Sequence, residues 1–301
     1  MKKRYLIIAI MILSVVSLFL GAKSISFMDI LNGNEEGVRI FVLSRLPRLI
    51  TILATGMGMS IAGLIMQQIS KNKFVSPTTG ATVFTKTIVA FIFALIGTFM
   101  FMKIMSKIQF KNIIFVPLVG IMFGNIIGAM TDFFAYKYEL TQNVGAWMQG
   151  DFSMILKGNY EILYITVPLV ILAYVYANRF TVAGMGEDFA TNLGLNYKRV
   201  VNLGLVIVSL VTVCIVVTAG NIPFIGLIVP NIVSLYKGDN LRDTIWHTGL
   251  FGAVFVLVCD ILGRIIIYPY EIPIGLTVGV IGSITFLYLI LRRNANAVKS
   301  S

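Results

Sequence analysis

The sequence predicts an all-α protein: a polytopic bundle of membrane-spanning helices forming a single domain over residues 1–301. Composition carries the first half of this. Of the 301 residues, 57% are apolar and only 12% charged, about half the charged share of a soluble domain, and the mean hydropathy is +0.90. Patterning carries the second half. Apolar runs close to the roughly 17–25 residues that cross a bilayer recur from end to end, and no polar stretch between them is long enough for a separate soluble domain.

The formal charge of +11 does not point to nucleic acid. The 24 Lys and Arg residues sit in small groups between apolar runs, which is the signature of cytoplasmic loops. Cys214, Cys259 and the single His247 offer neither a disulfide framework nor a zinc set, and no metal or cofactor is expected.

Along the chain, a basic start at Lys2, Lys3 and Arg4 precedes an apolar run over 5–21, read as an uncleaved first span with its N-terminus inside. The mixed segment 22–44, with Asp29, Glu35 and Glu36, then lies outside, and 49–69 returns inward to Lys71 and Lys73. Further apolar runs cover about 88–102, 113–135, 160–178, 200–218, 222–236, 247–269 and 272–291. Basic residues at 103–111, 179, 198–199, 237–242 and 292–293 mark their cytoplasmic ends, and the C-terminus falls inside as well.

One stretch conflicts with this alternation. The run ending at Lys71 and Lys73 and the run ending at Lys103, Lys107 and Lys111 both finish inside, so an outward crossing belongs between them. Only residues 76–87 are available, and as a helix they reach about 18 Å against an apolar core of roughly 30 Å. A span of about twenty residues is expected to be absent here; the alternative is an irregular crossing enclosed in protein.

Charges inside apolar runs are costly unless paired or facing water. Asp260 and Arg264 stand at i and i+4 and can pair on one helix; alternatively Arg264, near the outer end, presents its charge to an external partner. Arg45 and Arg48, in the string RLPR, share a side of a helix start in which Pro47 suits the first turn. They are either headgroup anchors or, being cations at the outer leaflet against the usual bias, functional. Gly56, Ser60 and Gly63, and Gly275 and Gly279, form small-residue patterns that let helices approach closely.

Residues 220–231, with Pro223, Gly226 and Pro230, interrupt an apolar run. They predict either a broken helix lining a pathway or a kinked packing helix. The cytoplasmic stretch 184–197 predicts a short amphipathic helix: Glu187 and Asp188 suit its N-terminus, Phe189 and Leu193 share a face, and Gly194 can end it. With no membrane duty to perform, such a helix suits docking to a soluble partner. Asp132 and Asp260 lack the motif context of an intramembrane protease or a prenyl-transfer site, so no enzymatic role is expected.

These strings together resemble the FecCD family, the permeases of ABC importers for iron–siderophore complexes and vitamin B12. The resemblance rests on RLPR at 45–48, GLIMQ at 63–67, Asn72 with Ser76 and Pro77, GEDFATNLGL at 186–195, IPFIGLIVPNIV at 222–233, the stretch 260–264 and EIPIGLTVGVIG at 271–282. More narrowly, the chain is similar to Gram-positive permeases for catecholate siderophores such as petrobactin. The resemblance implies a type II importer permease fold of ten helices, of which about nine are visible here, in a bacterial plasma membrane with both termini cytoplasmic. It implies as partners a second permease subunit, identical or related, two cytoplasmic ATPases and an extracellular substrate-binding lipoprotein. By motif, Arg45, Arg48 and Arg264 match external arginines that meet glutamates of the binding protein. Gly186, Glu187, Asp188, Phe189, Leu193 and Gly194 match a helix that sits in the ATPase cleft, and Asn72 with Phe74 match a cytoplasmic gate. The sequence departs from the family after Pro77, where a third span is expected.

The absence of a GxxxxGK[ST] string places any nucleotide site on another chain. The rival reading is an ion-coupled secondary transporter, which requires a midplane ionisable site; Asp132 and Asp260 are its only deep candidates.

Overall fold

A backbone without water must satisfy its own polar groups, and each apolar run accordingly forms helix. The computed structural model describes residues 2–21, 33–70, 84–107 and 115–299. In chain order these contain α1 (Lys3–Phe19), α2 (Glu35–Ile69), α3 (Phe84–Lys107), α4 (Phe115–Lys137) and α5 (Thr141–Met148). A 3₁₀ turn (Glu161–Ile165) leads into α6 (Thr166–Val175), followed by α7 (Ala177–Met185), α8 (Glu187–Asn192) and α9 (Tyr197–Ala219). The remainder is α10 (Ile225–Lys237), α11 (Leu241–Ile265) and α12 (Ile274–Lys299). The 3₁₀ turn with α6 forms one limb, and α7 the other, of a helix pair bent by 58°. α11 begins before its apolar run because Asn240 caps it, accepting the Arg242 N–H at 3.1 Å.

α2 is the centre of the bundle, packed between α9, α10 and α11. The small residues explain why. A Cβ on Gly56 would lie 2.5 Å from the Gly252 carbonyl oxygen of α11, and one on Gly63 would lie 2.0 Å from that of Gly226 in α10. Without a solvent-driven hydrophobic force between helices, such backbone approach supplies the dispersion contact.

Pro47 shapes the outer half of α2. It has no N–H to give the Leu43 carbonyl one turn earlier, and the helix widens to a π turn over Phe41–Arg45. The freed carbonyl accepts instead the backbone N–H of Lys157 at 3.0 Å, which ties the loop before α6 to the outer end of α2.

The side-chain contacts also fix helix directions. Gly58 of α2 meets Ile215 and Val211 of α9, while Ile69 and Ile65 meet Gly204, so α2 and α9 are antiparallel. Thr98 of α3 shares a 2.5 Å hydrogen bond with Ser209 of α9, and Phe91 and Ala94 pack on Val213 and Val217, so α3 and α9 are antiparallel too. Two consecutive spans, α2 and α3, therefore run the same way through the bundle. Ser70 and Phe84 lie at opposite ends of the bundle, and the intervening residues are too few for one more helical crossing of about twenty. Charge placement predicted this conflict, and the tertiary contacts reproduce it independently. The neighbouring α4 packs chiefly on α3 and α5, and only 6% of its apolar window is buried.

Candidate functional site

Three features sit where the sequence predicts function, beginning at the outer end. α1 ends there at Phe19, leaving carbonyls with no intrahelical partner. Arg264, in the last turn of α11, donates to the Ser17 carbonyl at 2.9 Å and the Leu20 carbonyl at 2.8 Å, and to the Ser17 hydroxyl at 2.6 Å. Arg45 donates to the Leu20 carbonyl at 2.5 Å. Cations capping a helix C-terminus are favoured by both hydrogen bonding and the helix dipole.

Asp260 joins this cap to α2. It pairs with Arg264 on its own helix, as its spacing predicts, and with its other oxygen accepts from Arg48 Nη2 at 2.8 Å. Arg48 Nη1 donates to Glu271 Oε2 at 2.6 Å. Three arginines and two carboxylates thus tie together α1, α2, α11 and the connector before α12. Arg45, Arg48 and Arg264 are brought to one place, but as buried groups with 8%, 9% and 2% of their surface exposed. Arg264 in particular faces inward, because Asp260 and the α1 carbonyls satisfy it there. Sequence reasoning assigned no part to Glu271, which lies 223 positions from Arg48. The need to balance three cations at one outer end was the available signal.

The second feature is the broken span. Residues 220–224 are non-helical, and Phe224 takes a left-handed conformation with φ 64°. Protein covers this segment in part. A Cβ on Gly282 of α12 would lie 3.1 Å from the Phe224 Cβ, and Pro223 lies beside Gly279. Pro230, inside α10, withholds an N–H from the Gly226 carbonyl, and Gln67 of α2 replaces it, donating from Nε2 at 3.0 Å. The same amide lies 3.2 Å from the Leu227 carbonyl, which the Asn231 side chain also reaches at 2.7 Å. Gly226 and Pro230 are buried against α2, while Pro223 is partly exposed. Gln67 was legible only as part of the string GLIMQ; its partner is 159 positions away.

The third feature lies at the opposite end of the bundle, near the C-terminal end of α2. Gly186, with φ 124°, breaks the chain between α7 and α8. α8 closes with a Schellman motif: Leu195 N–H donates to the Ala190 carbonyl and Gly194 N–H to that of Thr191, both at 2.9 Å. Gly194 supplies the left-handed φ of 75° that this closure requires. Ala190 is fully buried against the bundle, so the opposite face is turned out. Phe189 and Leu193 are 49% and 62% exposed, and Met185 lies beside them at 57%. Asp188 is exposed and Glu187 half-buried at the start of the turn. Asn72 and Phe74 fall outside the described residues.

Neither deep carboxylate stands ready for a coupling ion. Asp260 is engaged by two arginines, and Asp132 lies on the exposed face of α4.

Comparison with known proteins agrees with this architecture. The profile of the FecCD transport family matches the chain in two blocks, residues 8–82 and 78–292. The chain is 57% identical to the petrobactin import system permease protein YclN of Bacillus subtilis, with 99% of this chain and 100% of that one covered. It is 38% identical to the ferric-anguibactin transport system permease protein FatD of Vibrio anguillarum, covering 95% and 98%. A solved chain described as an inward-facing conformation of the metal-chelate type of ABC transporter superposes with a TM-score of 0.78 at 22% identity, covering 96% and 98%. The alignment to YclN runs over 316 positions against 301 residues here, so that relative has at least 15 residues without a counterpart. The two family blocks meet at 78–82, between the parallel spans α2 and α3.

Proposed function

The chain belongs to the FecCD transport family, and from that premise we propose that it is the plasma-membrane permease subunit of an ATP-driven importer of a ferric siderophore of the petrobactin class. The end-to-end identity of 57% to a petrobactin permease carries the substrate class. The proposed assembly contains a second permease subunit, two cytoplasmic ATPases and an extracellular substrate-binding lipoprotein, with both termini of this chain cytoplasmic.

In this reading the exposed face of α8 docks in the ATPase. Two half-exposed apolar side chains on a rigid, capped turn favour burial by roughly 1.5–3 kcal/mol each when fully covered, and Glu187 adds a carboxylate for a basic partner group. Movement of α8 passes to α7 and α9, which contact it, and from both to α2. α2 in turn carries Gln67 at the broken span and Arg48 at the outer end. The outer arginines serve docking of the binding protein through its carboxylates. Pro223, Gly226 and Pro230 border the pathway, and Asn72 with Phe74 form its cytoplasmic gate. The covalent chemistry, ATP hydrolysis, belongs to the partner chain.

Uptake of ferric petrobactin by membrane vesicles carrying the full complex tests this. Transport is expected to stop when ATP is depleted and to persist when proton and sodium gradients are collapsed. The reverse pattern would establish the secondary transporter instead.

A further inference from the structure

The outer arginine cluster is not an empty receptor for carboxylates, because one of its places is already taken from within. Arg48 is forked between two carboxylates that differ in access. Asp260 has a side chain 2% exposed and is also held by Arg264, whereas Glu271 is 22% exposed. Glu271 lies in the connector between α11 and α12, flanked by the strongly exposed Tyr268 and Tyr270. Its backbone is anchored: the Ile272 N–H donates to the Gly263 carbonyl at 3.0 Å. The side chain of Glu271 is therefore the part of the network that can leave without breaking the fold, and Nη1 of Arg48 is the donor it would release.

We infer that Glu271 is a specificity-determining residue of the outer face: it holds Arg48 in the manner of an incoming carboxylate, and docking exchanges the internal carboxylate for the partner's. This rests on the reading that an extracellular binding protein meets these arginines through its acidic groups. The exchange has two consequences. A partner without a carboxylate placed to replace Glu271 gains nothing from Arg48, since an arginine already satisfied offers no net bond. A partner with one must also overcome like-charge repulsion from Glu271 on approach. Asp260 has the opposite role: too buried to exchange, it positions both Arg48 and Arg264.

The test compares the wild-type complex, Glu271→Gln and Arg48→Glu in lipid nanodiscs, with the soluble form of the binding protein that supports uptake as the probe. Glu271→Gln is expected to tighten docking by roughly 2–5-fold, the range of a partly exposed charge contact, while Arg48→Glu weakens it. A second measurement uses no partner: labelling of Arg48 in the free permease by an arginine-selective dicarbonyl reagent is expected to rise in Glu271→Gln, because Nη1 has lost its charged acceptor. Unchanged or weaker docking in Glu271→Gln, alongside clear loss in Arg48→Glu, overturns the exchange and makes Glu271 a positioning residue. Unchanged labelling overturns it as well. Docking indifferent to Arg48→Glu would remove the docking reading itself, and this inference with it.

Discussion

Replacing Gln67 with Leu is expected to destabilise the permease by an amount that depends on whether Pro230 is present. Gln67 Nε2 lies 3.0 Å from the Gly226 carbonyl, the acceptor that Pro230 deprives of its helical N–H. The neighbouring Leu227 carbonyl keeps the Asn231 side chain at 2.7 Å, so the loss concentrates on one buried oxygen. An unsatisfied buried acceptor costs about 1–3 kcal/mol, and hydrogen bonds between membrane helices average about 0.6 kcal/mol with a maximum of about 1.7 kcal/mol. Gln67→Leu is thus expected to cost about 1–2 kcal/mol. In a Pro230→Ala background the backbone N–H of residue 230 returns to the Gly226 carbonyl, and the same substitution should cost under about 0.5 kcal/mol, within the scatter of independent sites. The assay is reversible unfolding in mixed micelles of mild detergent and dodecyl sulfate, with all four members of the cycle measured together. Additivity of the two substitutions within that scatter would refute the claim that Gln67 stands in for the missing donor.

Asp260→Ala, which leaves two buried guanidinium groups short of a counter-charge, should lower stability by about 3–5 kcal/mol, whereas replacing Asp260 and Arg264 together by Leu and Met should recover much of the loss; the same unfolding assay reads both. Gly63→Ala should destabilise the α2–α10 contact by at least about 2 kcal/mol, because backbone rather than a movable side chain faces the added Cβ at 2.0 Å; an unchanged unfolding midpoint would show that the helices separate freely. Phe189→Ala with Leu193→Ala should leave the chain folded and inserted but reduce co-purification of the ATPase and abolish uptake, with binding-protein docking preserved; retention of the ATPase at normal transport would make α8 a plain connector. Inserting an apolar segment of about twenty residues between Thr79 and Phe84 should raise the unfolding midpoint and place cysteines introduced at residues 71 and 84 on opposite sides in an accessibility scan. A lower midpoint or same-side labelling would contradict the topology derived from α2, α3 and α9.

Much of this protein was legible before any contact was known. Apolarity sustained over spans of membrane length leaves helices as the one economical way to satisfy the backbone, so the all-helical class and the approximate helix positions follow from composition and patterning alone. So do features that depend on near neighbours. The Asp260–Arg264 pair follows from a spacing of four, the short helix α8 from Glu187 and Asp188 at its start and Gly194 at its end, and the close approach at Gly56 and Gly63 from the lack of a side chain. Even the topological conflict after α2 was visible, because lysines record which end of a span faces inward.

Sequence spacing could not say what satisfies a group whose partner lies on another helix. Pro47 and Pro230 each announce a carbonyl without its donor, but only the assembled bundle brings Lys157 to the one and Gln67 to the other. The outer arginines were visible as cations. Their burial, their use in capping α1 and their sharing of Asp260 with Glu271 depend on three helices and a connector meeting at one end. Local chemistry states which polar groups must be satisfied, because that is a property of the residue and its immediate backbone. Which donor arrives depends on the angle and register at which distant helices pack, and those are settled by side-chain volume across the whole bundle.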